Sequence, residues 1–332
     1  MYVYISTFND SPDYKYDDIM FKNYYKDFKD LGWHCIKMCD LVNISLEQYF
    51  LDNNITPKAI YFCFVNTLIE NNWKYISGLN CVKCAFMDDL HQNSGRTRNF
   101  RFKLIKNFDC IFMTYAYCYS KFFPDILSDK IYWLPHCVIS SIKIEFNPNP
   151  KHSILLSGLV EKRIYPMRQQ MFNLRNKYAI DILEHPTYKY DKHNIIGAKY
   201  YEYLNGYLCC FTCCSNSDTP YIVQKFFEIC YAGSLLFCYD KYVTKELEML
   251  GFINGVNYIR CDETNMEEQI KYILDENNLP QINKIRANGY ALVTQNHTSQ
   301  SRAKFVSQLM DTITRQEIIP PLPLPDNMDS TD

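Results

Sequence analysis

The sequence predicts an α/β protein with two domains, each organised around a parallel sheet. Its 332 residues are 47% hydrophobic, which is more chain than one hydrophobic core usually organises. Short apolar runs alternate with amphipathic segments, as they do where helices connect parallel strands. The alternation breaks at Phe146-Asn-Pro-Asn-Pro-Lys151, where two prolines cannot donate hydrogen bonds to a β-ladder. We therefore expect two sheets separated by a linker at residues 146–151.

The first half of the chain contains a series of short runs rich in β-branched and aromatic residues, which predict strands. These runs lie near residues 2–7, 33–38, 58–64, 82–87, 109–113 and 131–134. Between them, Asp17–Asp30 and Arg98–Asn107 have the apolar spacing of amphipathic helices.

The second half restarts the alternation. Strands are predicted near residues 153–157, 179–183, 207–212, 234–238 and 257–260. Helices are predicted near residues 166–176, 198–205, 220–231, 242–250 and 264–276.

These elements predict the domain organisation. We expect an N-terminal domain at residues 1–145, a C-terminal domain at 152–300, a helix at 301–316 that packs back toward the N-terminal domain, and a tail at 317–332. The tail is rich in proline and then acidic, which favours flexibility.

Charge and composition exclude several classes of protein. The net charge of −2 provides no broad positive field, so nucleic acid is not the expected partner. No apolar run approaches the roughly 18 to 20 residues that span a bilayer, so any membrane contact would be peripheral. The N-terminus lacks a signal peptide, and fifteen cysteines in such a chain indicate a reducing, cytoplasmic environment.

Two pairs of cysteines have the C-x-x-C spacing of zinc ligands. They are Cys81 with Cys84 and Cys210 with Cys213. The alternative is that Tyr207-Leu-Cys-Cys-Phe-Thr-Cys-Cys214 is a buried strand whose thiols act as small hydrophobic groups.

The carboxyl ends of parallel strands are where ligands bind in open α/β sheets. The strand that ends at Ser157 and Gly158 is followed by Arg163 and Arg168. Glycine permits close approach of the backbone to a ligand, and the cations suit a diphosphate.

The segment from Ser215 to Cys238 contains the strongest signals for a binding site. Thr219 as N-cap, Pro220 at the first helical position and Gly233 at the end predict a helix of about 12 residues. The free N–H groups at its start would attract phosphate. Glu228 lies among apolar residues and needs a partner. That partner is either a cation or two adjacent hydroxyls of a ribose, and the candidate cations are Lys225, Lys241 and Arg260.

This segment resembles a known family. Lys225-Phe-Phe-Glu-x-x-x-Ala-Gly-x-x-Leu236, followed by Gly251-Phe-Ile-Asn-Gly-Val-Asn-Tyr258, is similar to the C-terminal domain of GT-B glycosyltransferases. The resemblance is to the spore-maturation-type group of the glycosyl transferase group 1 superfamily. It continues through Met266–Leu274, Ala287–Gly289 and His297–Arg302, and covers roughly residues 152 to 310.

The resemblance implies a GT-B fold, in which two Rossmann-like domains with parallel sheets face an interdomain cleft. It also implies that Glu228 binds the donor ribose, with Lys225 beside it. Backbone N–H groups of Tyr221, Ile222 and Val223 would contact the diphosphate, and Arg163 or Arg168 would neutralise it. Many retaining relatives have an acidic residue where this chain has Pro220, so the stereochemical outcome is left open.

Candidates for catalysis lie in the first half. Cys84-Ala-Phe-Met-Asp-Asp-Leu-His91 is a strand that ends in Asp88, Asp89 and His91, any of which could accept a proton from an acceptor hydroxyl. The alternative is an Asx turn with His91 at the surface. Tyr132-Trp-Leu-Pro-His136 resembles the turn that closes the N-terminal domain of the same superfamily. The residues expected to line the cleft are His136, Ser157, Asp218 and Thr219.

The expected activity is transfer of a hexosyl or pentosyl group from a UDP- or GDP-sugar to a hydroxyl of a glycan, protein or small molecule. No cofactor or metal is expected, because a helix N-terminus and arginine can stabilise the leaving group. One alternative is a degenerate protein that binds nucleotide sugar without turnover. Another is a DNA-base-modifying GT-B enzyme, for which a basic strip could contact the backbone of DNA. The strip consists of Arg96, Arg98, Arg101, Lys103 and Lys106.

Overall fold

The computed structural model describes residues 1–6, 17–41, 44–63, 78–88, 107–124, 128–185, 195–217 and 220–315. The chain divides into two compact units. Unit 1 comprises Met1–Pro135 and the segment that begins at Ser299, and unit 2 comprises His136–Thr298. No helix in the described ranges combines the length and apolar character needed to cross a membrane.

Unit 1 is built on a parallel sheet whose strand order is β2-β1-β3-β4-β5-β6. The strands are β1 (Tyr2–Ser6), β2 (His34–Lys37), β3 (Ala59–Phe62), β4 (Val82–Met87), β5 (Cys110–Met113) and β6 (Ile131–Trp133). Every strand predicted in the first half is confirmed, because a fully buried parallel strand reads as a short continuous apolar run.

Unit 2 contains a second parallel sheet, with the order β11-β10-β9-β7-β8. Its strands are β7 (Lys151–Ser157), β8 (Ile180–Leu183), β9 (Tyr207–Cys213), β10 (Leu235–Tyr239) and β11 (Ile259–Cys261). The five strands predicted in the second half are thereby confirmed. The order places β7 and β9 side by side, so the loops that follow them share one edge of the sheet.

Helices cover the sheets in both units. Those of the described residues are α1 (Asp17–Asp30), α2 (Leu46–Asp52), α3 (Tyr119–Phe122), α4 (Pro166–Asn173), α5 (Ala198–Asn205), α6 (Lys225–Tyr231), α7 (Thr244–Met249), α8 (Met266–Leu274), α9 (Leu279–Asn296) and α10 (Ser299–Thr314). The predicted helix at residues 98–107 lies almost wholly outside the described ranges.

The last helix, α10, is part of unit 1 and packs along α1. Its side chains Ala303, Val306 and Met310 are buried in the aromatic core of that unit. At its first residue, the Ser299 hydroxyl donates a hydrogen bond of 2.5 Å to the buried Asp27 carboxylate. A hydrogen bond to a buried carboxylate is among the stronger ones, so it fixes where α10 begins on α1.

The core of unit 1 explains much of the aromatic content. Tyr4 stacks on Phe28 with ring centroids 4.7 Å apart, and Phe28 also contacts Trp33 and Tyr61. Such pairs add stability beyond the area that they bury. The aromatic residues of this cluster are therefore core residues rather than a platform for a ligand.

The thiols of β9 behave as small hydrophobic groups. Cys209, Cys210 and Cys213 are buried, and burial raises the pKa of the Cys210 thiol to about 12. Cys210 and Cys213 are three positions apart on a strand, so they point to opposite faces of the sheet and cannot chelate one ion together. Among the described residues, no group of three His, Cys, Asp or Glu side chains is placed to hold a metal.

The helix predicted at residues 220–231 starts later than expected. α6 begins at Lys225, with Gln224 at the N-cap position, so the prediction that Pro220 opens the helix is wrong. Ile222 and Val223 are buried in the non-helical segment before it. The predicted end is confirmed, because Gly233 has a φ of +76° and closes the helix in a left-handed conformation.

The sequence did not predict α9, which packs on α6 and β10. Gly289 lies in its interior, where a Cβ atom would be 2.6 Å from the backbone oxygen of Asn257. Arg286, also on α9, is fully buried. It donates hydrogen bonds of 3.0 Å to the backbone oxygens of Gly233 and Asn147, which connect α9 to the end of α6 and to the segment before β7.

Candidate functional site

The loop after β7 carries a glycine in close contact with two basic side chains. Gly158 has a φ of +98°, which is in the left-handed region. A Cβ atom there would lie 2.6 Å from Cε of Lys225 and 3.1 Å from Nη1 of Arg168. The absence of a side chain at Gly158 therefore lets the backbone approach both cations.

Arg168 is held in the first turn of α4 with its guanidinium buried. Nη1 donates to the Leu159 backbone oxygen at 3.2 Å, and Nη2 donates to the Thr212 hydroxyl at 3.3 Å. The ring of Tyr165 lies 3.8 Å from the guanidinium carbon. Among the described residues, the buried Nε atom has no hydrogen-bond partner. The guanidinium is thus fixed in position beside Gly158.

Lys225 opens α6 and faces the same loop. Its Nζ atom donates to the hydroxyl of Tyr200 at 2.8 Å, and the hydroxyls of Tyr200 and Ser157 lie 2.9 Å apart. Burial lowers the pKa of the Lys225 ammonium, and the positive charge of Arg168 lowers it further, while Glu228 opposes both effects. The positive charges of Arg168 and Lys225 lie close together at a partly desolvated position, so binding of an anion there is favoured.

Glu228 lies one turn further along α6 and is only 1% exposed. Its Oε2 atom is 4.0 Å from Nζ of Lys225. The other two candidate cations are engaged elsewhere, since Lys241 pairs with Glu263 at 3.2 Å and Arg260 pairs with Asp240 at 2.9 Å. Of the three predicted partners, the structure therefore places Lys225 beside this carboxylate.

His185 joins the cluster although the sequence did not single it out. It lies two residues beyond Leu183, the residue of β8 that is paired with Ser157 of β7. Burial lowers the pKa of its imidazole, and the charges of Lys225 and Arg168 lower it further. The edge formed by β7, β8 and β9 thus gathers three basic side chains and one carboxylate.

The segment predicted to contact a diphosphate through its backbone lies directly before α6. Tyr221, Ile222 and Val223 form no regular structure there, and the hydroxyl of Tyr221 is 2.9 Å from that of Tyr165. This pair links the loop after β7 to the loop after β9. Asp218 and Thr219 lie outside the described residues.

Arg163 is placed differently from Arg168. Its side chain is exposed, and its backbone oxygen accepts a hydrogen bond of 2.8 Å from Asn216. Of the two predicted arginines, Arg168 is the one that contacts Gly158.

In unit 1, Asp88 follows β4 at the carboxyl edge of the sheet. The hydroxyl of Thr114, which follows the neighbouring strand β5, donates a hydrogen bond to its carboxylate. Asp89 and His91, the other two candidates for a base, lie outside the described residues. His136 is half-buried at the first position of unit 2.

Solved structures with similar architecture are glycosyltransferases. Sucrose-phosphate synthase from Thermosynechococcus elongatus matches with a TM-score of 0.59 and 10% identity over 95% of this chain and 99% of that one. HepE from Anabaena, in complex with UDP and glucose, matches with a TM-score of 0.57 and 8% identity over 94% and 100%. A glycosyltransferase from Rickettsia africae matches with a TM-score of 0.55 and 11% identity over 96% and 99%.

At these identities the similarity concerns the fold. The chain has the GT-B fold, with two Rossmann-like α/β units that each contain a parallel sheet. No protein-family model and no curated protein matches the sequence. The fold predicted by the resemblance is therefore confirmed by the structure.

Proposed function

We propose that this protein is a glycosyltransferase that binds a nucleoside diphosphate sugar in unit 2 and transfers its sugar to a hydroxyl group. The observation that carries the proposal is the group formed by Gly158, Arg168, Lys225 and Glu228 at one edge of a GT-B sheet. Its two cations and its carboxylate match the two chemically different parts of a ribose diphosphate.

The diphosphate would bind beside Gly158. A backbone without a side chain can approach phosphate oxygens closely, and a fixed guanidinium suits their planar, bidentate recognition. Arg168 places Nη1 beside Gly158, and Lys225 adds a second positive charge. Negative charge would raise the pKa of Lys225 back toward its ordinary value, which favours binding.

The ribose would bind to Glu228. A carboxylate that is 1% exposed is costly to bury unless polar groups contact it. Two adjacent hydroxyls of a ribose can each donate a hydrogen bond to its oxygens. Glu228 lies one helical turn from Lys225, so one short helix would contact both the ribose and the diphosphate.

The donor that we favour is a UDP-sugar. HepE, a structural neighbour, has been solved with UDP and glucose and with UDP-glucose. A GDP-sugar is the second candidate for the donor. The motif around Glu228 separately supports a relationship to the spore-maturation-type group of glycosyltransferases. We place the protein in the cytoplasm on the basis of its free cysteines.

In the transfer step, the acceptor oxygen attacks the anomeric carbon of the sugar. The bond between that carbon and the β-phosphate oxygen breaks, and its electron pair leaves with the diphosphate. The acceptor proton passes to a base. The candidates for this base are Asp88, Asp89 and His91, of which the structure describes Asp88. Arg168 and Lys225 would balance the charge that develops on the diphosphate, so the step as proposed needs no metal.

The second candidate function is nucleotide-sugar binding without turnover. It is favoured by Pro220, which occupies the position of an acidic residue in many retaining relatives and lies outside α6. Both functions require the same donor site and differ only in the chemical step.

The proposal is tested with purified protein in two stages. A thermal-shift screen would compare UDP, GDP and their glucose and N-acetylglucosamine conjugates, since a ligand stabilises the folded state according to its affinity. Release of UDP from the best donor, with and without sugar or peptide acceptors, would then report turnover. Stabilisation without release would support the binding protein, and no stabilisation by any nucleotide would refute both functions.

A further inference from the structure

The site at Gly158 has a third basic group whose charge is adjustable near neutral pH. His185 follows β8, and β8 is paired with β7 up to Ser157 and Leu183, so His185 lies beside the loop that contains Gly158. An unperturbed imidazole changes charge near neutrality, whereas arginine and lysine do not. No role for His185 follows from the motif around Glu228, because that motif lies on α6.

We propose that the His185 imidazole is a third cationic ligand of the diphosphate, and that it becomes protonated when the diphosphate binds. The proposal rests on the proposed function in that the natural ligand is taken to be a nucleoside diphosphate. The site would therefore take up a proton together with its anion.

The groups that surround His185 set the direction of this effect. Arg168 on α4 and Lys225 on α6 repel a proton on the imidazole, while Glu228 on α6 is the carboxylate of the cluster. Glu184 adjoins His185 in the chain and is exposed, and the hydroxyls of Tyr200 and Ser157 belong to the same cluster as Lys225. In the empty site, burial and the two cations keep His185 neutral near pH 7.

A bound diphosphate reverses that balance. Its negative charges would offset the repulsion from Arg168 and Lys225, so they would favour the protonated form of His185. Binding would then strengthen as the pH falls through the range in which the imidazole gains its proton. The effect would be largest for the nucleoside diphosphate product, since transfer of the sugar exposes a further ionisable oxygen on the β-phosphate.

The test is titration calorimetry with UDP and with inorganic pyrophosphate, in buffers of different ionisation enthalpy. It compares the unmodified protein with His185→Gln, which keeps a polar side chain that cannot titrate near neutrality. His152→Gln is the matched control, because His152 lies near the start of β7, at the opposite end of that strand from Gly158. Circular dichroism would confirm that each variant is folded.

We expect the unmodified protein and His152→Gln to take up about half a proton more per bound ligand than His185→Gln does, the most that a shift of one pKa unit produces. From about pH 8 to about pH 6, their affinity should gain roughly tenfold relative to His185→Gln, the change that one pKa unit provides. Equal proton uptake by all three proteins would overturn the assignment of His185 and leave the donor site intact.

The two ligands separate this inference from the proposed function. His185-dependent proton uptake with pyrophosphate, without any affinity for UDP, would support the anion site and refute a nucleotide donor. Absence of binding by both ligands in the unmodified protein would overturn both proposals.

Discussion

The Nζ atom of Lys225 lies 4.0 Å from the Oε2 atom of Glu228, three positions further along α6. Each of these charges therefore has a partner in the empty site. A ribose diphosphate would supply each with a new partner, hydroxyls for the carboxylate and phosphate oxygens for the ammonium. The two opposite charges on α6 therefore stabilise each other in the unliganded protein, and each would gain a ligand partner in the proposed complex.

Glu228→Ala is expected to weaken nucleotide binding about 10- to 100-fold, the range for losing hydrogen bonds to a charged group. Calorimetry with UDP would measure the loss, and circular dichroism would verify the fold. Glu248→Ala is the control, since Glu248 is an exposed carboxylate on the nearby helix α7. Unchanged affinity in Glu228→Ala would remove the ribose assignment.

Gly158→Ala is expected to impair binding because the new methyl group would displace the Lys225 side chain. The left-handed backbone adds strain of about 1–3 kcal/mol. Gly255→Ala separates the two effects, since Gly255 has a φ of +76° and a Cβ atom added there would meet no heavy atom within 4 Å. Both variants should lose thermal stability, whereas only Gly158→Ala should lose affinity for UDP. Equal affinities of the two variants for UDP would contradict a role in binding for the close contact between Gly158 and Lys225.

Asp88→Asn is expected to lower the rate of sugar transfer about 100- to 10,000-fold, the usual contribution of a general base. Donor affinity should be retained, because Asp88 belongs to unit 1 and the donor residues belong to unit 2. Thr114→Val, which removes the hydrogen bond to Asp88, should lower the rate less. Normal turnover in Asp88→Asn would transfer the role of base to Asp89 or His91.

Gly289→Ala is expected to destabilise unit 2, although alanine ordinarily favours a helix over glycine by about 1 kcal/mol. The added Cβ would lie 2.6 Å from the backbone oxygen of Asn257, and backbone cannot move aside easily. Thr294→Ala tests helix propensity alone at an exposed position of α9. Urea unfolding should show a loss of stability for the first variant and no loss for the second. A stabilised Gly289→Ala variant would show that α9 does not pack closely against the backbone at Asn257.

The sequence predicts the strands well for a physical reason. Strands inside a parallel sheet, such as β3, β5 and β10, are buried on both faces, so each appears as a compact apolar run. Gly233 was equally clear, because a helix that ends in a left-handed residue selects glycine locally. These signals depend on the segment itself and not on distant neighbours.

Features that depend on distant neighbours were missed or misplaced. The helix α6 starts at Lys225 and not at Pro220, and the buried Ile222 and Val223 precede it in a non-helical segment. The helix α9 contains glycine and asparagine in its interior, and it is stabilised by packing on α6 and β10. His185 joins the site only because β8 lies beside β7, an adjacency that spacing along the chain does not reveal.

Unit 1 is assembled from two stretches of chain with the whole of unit 2 between them. During synthesis, unit 2 is complete before Ala303, Val306 and Met310 have been made. The apolar face of unit 1 that α10 covers therefore stays exposed to water until α10 has been made. We expect a released chain that ends before α10 to contain a folded unit 2 and a unit 1 that is sensitive to proteases.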